Sequence, residues 1–223
     1  MQKFATTTPV TAILDIPAGS IRFIAADRAD TTVEILPADA SKSRDIKAAE
    51  QTTVAYDNGT LRIAGPEAKN QILGNSGRIE VTVQLPAGSR IEAKAAAADL
   101  RGVGRLGDVT FEGAQATVKL DETASARLTV MAGDISVGRL GGPAEISTQK
   151  GDLRITEAVK GAVTLRTESG EITVGAARGV SASLDAGTGY GRIDNALQNT
   201  DGAAARLQIH ATTAYGDITA RSL

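Results

Sequence analysis

Cysteine is absent from the 223 residues, which removes disulfides, thiolate metal sites and a cysteine nucleophile. The redox compartment stays open, because a reduced protein and a disulfide-free exported one share this feature. Tryptophan is missing too, and Phe and Tyr contribute three residues each beside 38 alanines. So few rings suit thin, closely stacked β coils better than a thick sandwich core. They also remove most of the stacking platforms on which sugar-binding grooves rely. Neither sign of charge dominates: 24 basic residues stand against 26 acidic ones, with no block of like charge. A phosphate-tracking surface is therefore not expected, and no nucleic acid partner is read. No run approaches the roughly 18 apolar residues of a membrane-spanning helix. Met1 to Thr8 carries one Lys and no apolar h-region, so no secretory signal is read and the expected location is cytoplasmic. A leader removed ahead of this start would instead place the chain at the cell surface.

What is present is a recurring phrase, an acidic residue or its stand-in followed by an aliphatic one. It occurs as Asp99-Leu100, Thr117-Val118, Asp134-Ile135, Asp152-Leu153, Glu171-Ile172, Arg192-Ile193 and Asp217-Ile218. Gly precedes five of these, at Gly133, Gly151, Gly170, Gly191 and Gly216. The aliphatic residues are 18, 17, 18, 19, 21 and 25 positions apart. A period near twenty with β-type patterning implies stacked coils, none of which can bury its apolar face without a neighbour. Each coil is read as two strands, the second being Val109 to Phe111, Arg127 to Val130, Ala144 to Ser147, Val163 to Leu165, Ser181 to Leu184 and Arg206 to Ile209. Period-2 alternation turns the aliphatic residues inward and Ser, Thr or Arg outward.

The first 95 residues have another rhythm. The phrase Pro17-Ala18-Gly19-Ser20 returns as Pro86-Ala87-Gly88-Ser89, each time followed by a strand. Both are read as tight turns, with Pro setting φ and Gly free to take φ > 0. Thr52 to Tyr56 and Thr60 to Ala64 flank Asp57-Asn58-Gly59, a hairpin signal. One short surface helix is expected near Ser41 to Glu50, capped by Ser41 or Ser43, and a polar, Gly-rich loop over Glu67 to Ser76. The whole of 1–223 is expected to be one elongated all-β domain, a single-stranded β-solenoid. In it, 1–95 form irregular coils with a hairpin and the helix, and 96–223 form regular Gly-Asp-Ile coils.

The Pro-Ala-Gly-Ser turns and the serial units Gly133-Asp134-Ile135, Gly151-Asp152-Leu153, Gly170-Glu171-Ile172 and Gly216-Asp217-Ile218 carry a resemblance. From about Phe4 to Leu223 the chain resembles the bacterial "putative adhesin" family of β-strand-repeat proteins, a domain of unknown function. The resemblance implies a single-stranded β-solenoid with a surface or binding role, and it brings no catalytic residue with it.

Four groups of residues are candidate sites. Sequential stacking would set Asp134, Asp152, Glu171 and Asp217 in one outward column about 5 Å apart. Carboxylates that close either take up a cation such as calcium or bond nearby backbone amides at a glycine corner. The second reading is favoured, since the nonapeptide pattern of calcium-binding β-rolls is missing. One residue later, Arg101, Lys119, Ser136, Arg154, Thr173, Asp194 and Thr219 form an outward stripe, read as a solvated face over a binding strip for an anionic polymer. His210, the one histidine, sits in an alternating strand without a Ser-centred elbow, so it reads as an outward-facing strand residue and not a general base. Tyr190 and Tyr215 each precede a repeat glycine, which allows their rings to stack across adjacent rungs, and packing that shields the last coils is read over a ligand platform.

No residue is thus assigned a catalytic, cofactor-binding or metal-ligating role, and no cofactor is expected. The function read from the sequence is a non-catalytic scaffold or binding module for an unidentified protein or glycan. The alternative, a polysaccharide-active β-helix enzyme of lyase or hydrolase type, would need aromatic subsites and long groove loops, and both are scarce. A homodimer through the C-terminal solenoid end is expected, because the last repeat runs almost directly into Leu223 with no capping segment.

Overall fold

The computed structural model describes residues 1–66 and 77–223. The loop read over Glu67 to Ser76 lies outside the described residues. The chain folds as two compact units, Met1–Ala116 and Thr117–Leu223. Strand dominates both, one α-helix occurs among the described residues, and the architecture is a β-solenoid-like stack.

The first unit holds β1 (Gln2–Ala5), β2 (Thr11–Ala26), β3 (Asp30–Pro37), α1 (Ser43–Gln51), β4 (Thr53–Asp57), β5 (Thr60–Ala64), β6 (Ile79–Pro86) and β7 (Arg90–Gln115). β2 lies between its parallel neighbours: β5 and β6 pair with it on one side and β7 on the other. The first coil in the chain is therefore an inner rung. Alternation along β2 and β6 buries Leu14, Ile16, Ile21, Phe23, Val81 and Val83. Antiparallel additions close the outer side, with β3 on β6, β1 on β3 and β4 on β5. The expected hairpin is β4–β5, turning at Asn58 and Gly59 with φ of 47° and 78°.

The two Pro-Ala-Gly-Ser phrases are not equivalent, which corrects the reading of both as turns. Around Pro86, a turn separates β6 from β7, and the buried Ser89 hydroxyl donates to the Pro86 carbonyl at 2.7 Å while accepting from the Val10 amide at 3.0 Å. Around Pro17, β2 runs on without a break. Ala18 and Gly19 are held in register with Ala97 and Ala98, and Gly19 also pairs with Ile79, so ladder bonds carry the backbone through the phrase. The helix forms where expected, but neither Ser41 nor Ser43 caps it. Asp39 captures Ser41 instead, accepting from its amide and hydroxyl at 2.9 and 2.7 Å, and Lys42 becomes the N-terminal residue without a side-chain cap. Helix α1 is held by buried Asp45, which accepts from the Arg78 amide at 3.0 Å.

The second unit holds β8 (Val118–Ala132), β9 (Ile135–Leu140), β10 (Ala144–Lys150), β11 (Leu153–Ala158), β12 (Gly161–Ser169), β13 (Ile172–Ala176), β14 (Ala182–Tyr190), β15 (Ile193–Ala196), β16 (Leu207–Tyr215) and β17 (Ile218–Ser222). They make two parallel faces. One runs from the first half of β8 through β9, β11, β13 and β17 to β15. The other runs from the second half of β8 through β10, β12 and β16 to β14. Along the first face Val118, Ile135, Leu153, Ile172, Ile218 and Ile193 stack in one inward column, as the recurring phrase predicts.

The order of the last rungs differs from the order of the chain. The final coil, β16–β17, sits between β12–β13 and β14–β15. The C-terminal strand is thus paired on both sides, which corrects the expectation of an open C-terminal end. Composition explains the exchange. β16 alternates cleanly and buries Leu207, Ile209, Ala211 and Thr213, so it gains from neighbours on both sides, whereas β14 and β15 carry Asp185, Gly187, Gly189, Asp194 and Asn195 and tolerate an edge. Spacing shows the same thing. The steps of 21 and 25 residues exceed the usual 17–19 because the chain must pass over one rung and return.

Two outcomes follow. Leu153→Ala or Ile172→Ala should cost roughly 2–5 kcal/mol in urea melts, and Ser136→Ala, on the outward side of the rung beside Leu153, less than about 0.5 kcal/mol; equal losses would refute the inward and outward assignment. In the first unit the Asp30 carboxyl is held down at about 2 by hydrogen bonds from Arg28 and Lys3. A lowered value stabilises the fold fully above the ordinary carboxylate range and loses that contribution as pH falls through about 2. Melts from pH 5 to pH 2 should therefore show Asp30→Asn and the native chain converging in stability toward the acid end.

Candidate functional site

Four of the five glycine corners of the second unit are built from a six-residue unit, Thr-x-x-Gly-Asp-Ile or a close variant: Thr148 to Leu153, Thr167 to Ile172, Thr188 to Ile193 and Thr213 to Ile218. The glycine sets the corner. Gly151 has φ of +144°, and a Cβ there would lie 2.2 Å from the Gly133 carbonyl oxygen of the adjacent rung. Gly216 has φ of +147°, and a Cβ would lie 2.0 Å from the Gly170 oxygen. Only glycine fits a corner whose rungs approach this closely.

The acidic column is assembled in the spatial order Asp134, Asp152, Glu171, Asp217, with Arg192 on the outermost rung. Its three aspartates bond backbone, as the favoured reading has it. Asp134 Oδ1 accepts from the Asp152 amide at 2.9 Å, Asp152 Oδ1 from the Glu171 amide at 2.8 Å, and Asp217 Oδ1 from the Arg192 amide at 2.8 Å. The Arg192 amide, and then its guanidinium, hold the Asp217 carboxyl below its ordinary range. Among the described residues no group of three or more His, Asp or Glu is arranged to hold a metal ion.

The sequence reading missed the threonines. Thr148, Thr167 and Thr213 are buried, and with Thr188 they form an inward ladder. Each hydroxyl donates to the corner glycine carbonyl of the neighbouring rung: Thr167 to Gly151 and Thr213 to Gly170 at 3.1 Å, Thr188 to Gly216 at 3.0 Å, and Thr148 to Gly133 at 3.4 Å. The signal was present as a Thr three residues before four of the five glycines. Alternation alone labels such a Thr only as inward and gives no reason for a hydroxyl there.

The outward stripe also assembles. Lys119, Ser136, Arg154, Thr173, Thr219 and Asp194 lie in register across successive rungs, while Arg101 belongs to the first unit, opposite Arg22. Mixed signs and intervening hydroxyls make this a solvated row. Other outward rows carry inter-rung ion pairs, with Arg139 between Glu122 and Glu157 and Arg127 beside Glu145. His210 faces outward as expected and meets Asp185 of β14, Nδ1 to Oδ2, at 3.2 Å.

Tyr190 and Tyr215 are brought together. Their strands are adjacent and in register, and the rings stack with centroids 5.1 Å apart and planes 4° from parallel. The pair lies on the solvent side of the corner, with Tyr190 72% and Tyr215 60% exposed. The rings therefore do not shield the last coils. They are displayed.

A family model described as Toastrack DUF4097 matches residues 14–222. Similar solved structures include a "putative adhesin" from Bacteroides fragilis, 14% identical, covering 98% of this chain and 95% of that one with a TM-score of 0.47. A "putative cell adhesion protein" from Clostridium sporogenes is 13% identical, covering 100% of this chain and 99% of its own, with a TM-score of 0.41. A "putative lipid binding protein" from Parabacteroides distasonis is 12% identical, covering 98% and 95%, with a TM-score of 0.46. No curated protein matches the chain.

The corner geometry makes a graded prediction for urea melts. Gly151→Ala combines a strained φ with contact against a backbone oxygen and should cost at least about 2–3 kcal/mol. Thr167→Val keeps the shape and loses one buried hydrogen bond, which should cost about 1–2 kcal/mol. A Gly151→Ala chain as stable as the native one would refute the close rung approach.

Proposed function

We propose, for a chain that belongs to the Toastrack DUF4097 family, a non-catalytic binding role in which the β stack displays Tyr190 and Tyr215 to a glycan. The observation that carries this reading is the exposed stacked pair. Six aromatic rings serve the whole sequence, and two of them are spent side by side on the solvent face of one corner. Rings buried for packing would reach inward to the apolar columns. These instead offer a flat apolar patch beside the Asp217 carboxylate and the Arg192 guanidinium, which are 3.3 Å apart. A sugar presents the matching surfaces, an apolar C–H face for a ring and hydroxyls for charged hydrogen-bonding groups.

The acidic residues that a hydrolase or lyase would draw on support a binding role over catalysis. Asp134, Asp152 and Asp217 spend a carboxylate oxygen on backbone amides. His210 Nδ1 reaches the exposed Asp185 carboxylate at 3.2 Å in a surface strand row. No helix among the described residues is long and apolar enough to cross a membrane.

A glycan array probed with the native chain and with Tyr190→Ala/Tyr215→Ala tests the reading. Specific hits that fall by about tenfold or more in the double variant, with its melting temperature preserved, are the expected result. An empty array, or hits indifferent to the tyrosines, would sink it.

A further inference from the structure

On the face that carries Ile193 the second unit's apolar column ends with no strand over it, whereas on the other face the Gln198 carbonyl accepts from the Ala182 amide at 3.0 Å on the open side. Val118, Ile135, Leu153, Ile172 and Ile218 are each at most 1% exposed, whereas Ile193, the next residue in line, is 46% exposed. Its rung is the outermost one: β15 is paired with β17 and β14 with β16, and among the described residues no other strand pairs with either. The direction of its backbone groups follows from one bond. The Ile218 amide donates to the Arg192 carbonyl at 2.8 Å. Alternate residues of a parallel ladder turn their amide and carbonyl to opposite sides. Arg192 and Asp194 therefore face β17, and Gly191, Ile193 and Asn195 turn theirs to the open side.

We propose that a second copy of this chain covers this rung, its β15 antiparallel to the first about a two-fold axis at Ile193. An isologous contact must be complementary to itself, and Arg192-Ile193-Asp194 is so in antiparallel orientation. Ile193 meets the partner's Ile193, which joins the open-side amides and carbonyls and adds the missing member to the apolar column. Arg192 meets the partner's Asp194, and Asp194 the partner's Arg192, each a closely opposed non-hydrogen-bonded pair with Cα atoms about 4.5 Å apart. Neighbouring registers lose this match. An axis at Asn195 sets Asp194 against the partner's Ala196, and an axis at Gly191 sets Arg192 against the partner's Tyr190. The Arg192 side chain is free to turn, being 90% exposed and held by Asp217 at 3.3 Å on the surface. The strand of another protein would have no reason to mirror this order of charge, apolar side chain and opposite charge. The proposal does not rest on the glycan reading.

Rung-on-rung contact is far smaller than a standard interface of roughly 1,600 Å², so the dimer is weak and concentration-dependent. Sedimentation equilibrium of the full chain from about 1 to about 300 μM measures it. The native chain should move from monomer to dimer across this range. Arg192→Asp and Asp194→Arg, which each place two like-charged pairs across the axis, should raise the dissociation constant about tenfold or more. The double reversal Arg192→Asp/Asp194→Arg restores complementarity and should return the constant to within about threefold of the native value. Ile193→Asp should leave only monomer, and melting curves certify that each variant is folded. A native chain that stays monomeric throughout overturns the proposal and leaves the rung to a strand of different origin. A dimer indifferent to both single reversals, or not rescued by the double one, overturns it as well.

Discussion

Close approach of backbone to backbone at the corners is the constraint on which the second unit depends. A glycine Cα lies against the carbonyl oxygen of the neighbouring corner, leaving no volume for a side chain. Three other features follow from that contact. The carbonyl accepts a buried threonine hydroxyl, the next residue's carboxylate takes an amide of the neighbouring rung, and the aliphatic residue after it turns into the column. Polar groups that a tight corner would otherwise strand are thereby satisfied within the stack. In an acidic column that resembles a cation site from its spacing, Asp134, Asp152 and Asp217 are backbone caps.

Stacking makes every rung depend on its neighbours, and the two units handle their terminal coils in the same way. In the first unit the opening coil, β2, lies inside, between β5 with β6 and β7. In the second, the closing coil, β16–β17, lies inside, between β12–β13 and β14–β15. Fraying the C-terminal coil therefore breaks two ladders where an outermost rung would lose one, whereas β1 at the N-terminal end is held by β3 alone. The outer positions fall to segments that can bear exposure: antiparallel strands in the first unit, and a short rung with aspartates and glycines in the second. The cost of that arrangement is an apolar column left open at Ile193.

The proposed ligand and partner surfaces thus arise at the same end of the second unit from different physical causes. Tyr190 and Tyr215 face outward because they occupy the position before the corner glycine, on the solvent side of the alternation. Ile193 is exposed although it points inward, because its rung is last. Outward display suits recognition of another molecule's surface, and an open column suits continuation of the stack.

The amino-acid sequence by itself determined the strands, the alternation that separates core from surface, the glycine corners and the column of aliphatic residues. These are local consequences of period 2 within a strand and of a repeat of 17–19 residues along it. Asp134 and Asp152 were legible as backbone caps because a short carboxylate at a corner has little else within reach. The order of the rungs was decided only in three dimensions. A repeat states that Ile172, Ile193 and Ile218 stack, but their neighbours depend on which coil gains most from burial on both sides. The long steps of 21 and 25 residues record that choice without naming it. For the same reason the sequence points to Leu223 as the open end, gives the threonine ladder no visible purpose, and offers Ser41 or Ser43 as a cap where Asp39 holds Ser41. Each of these turns on which groups meet across rungs or turns, and the tertiary structure alone sets that.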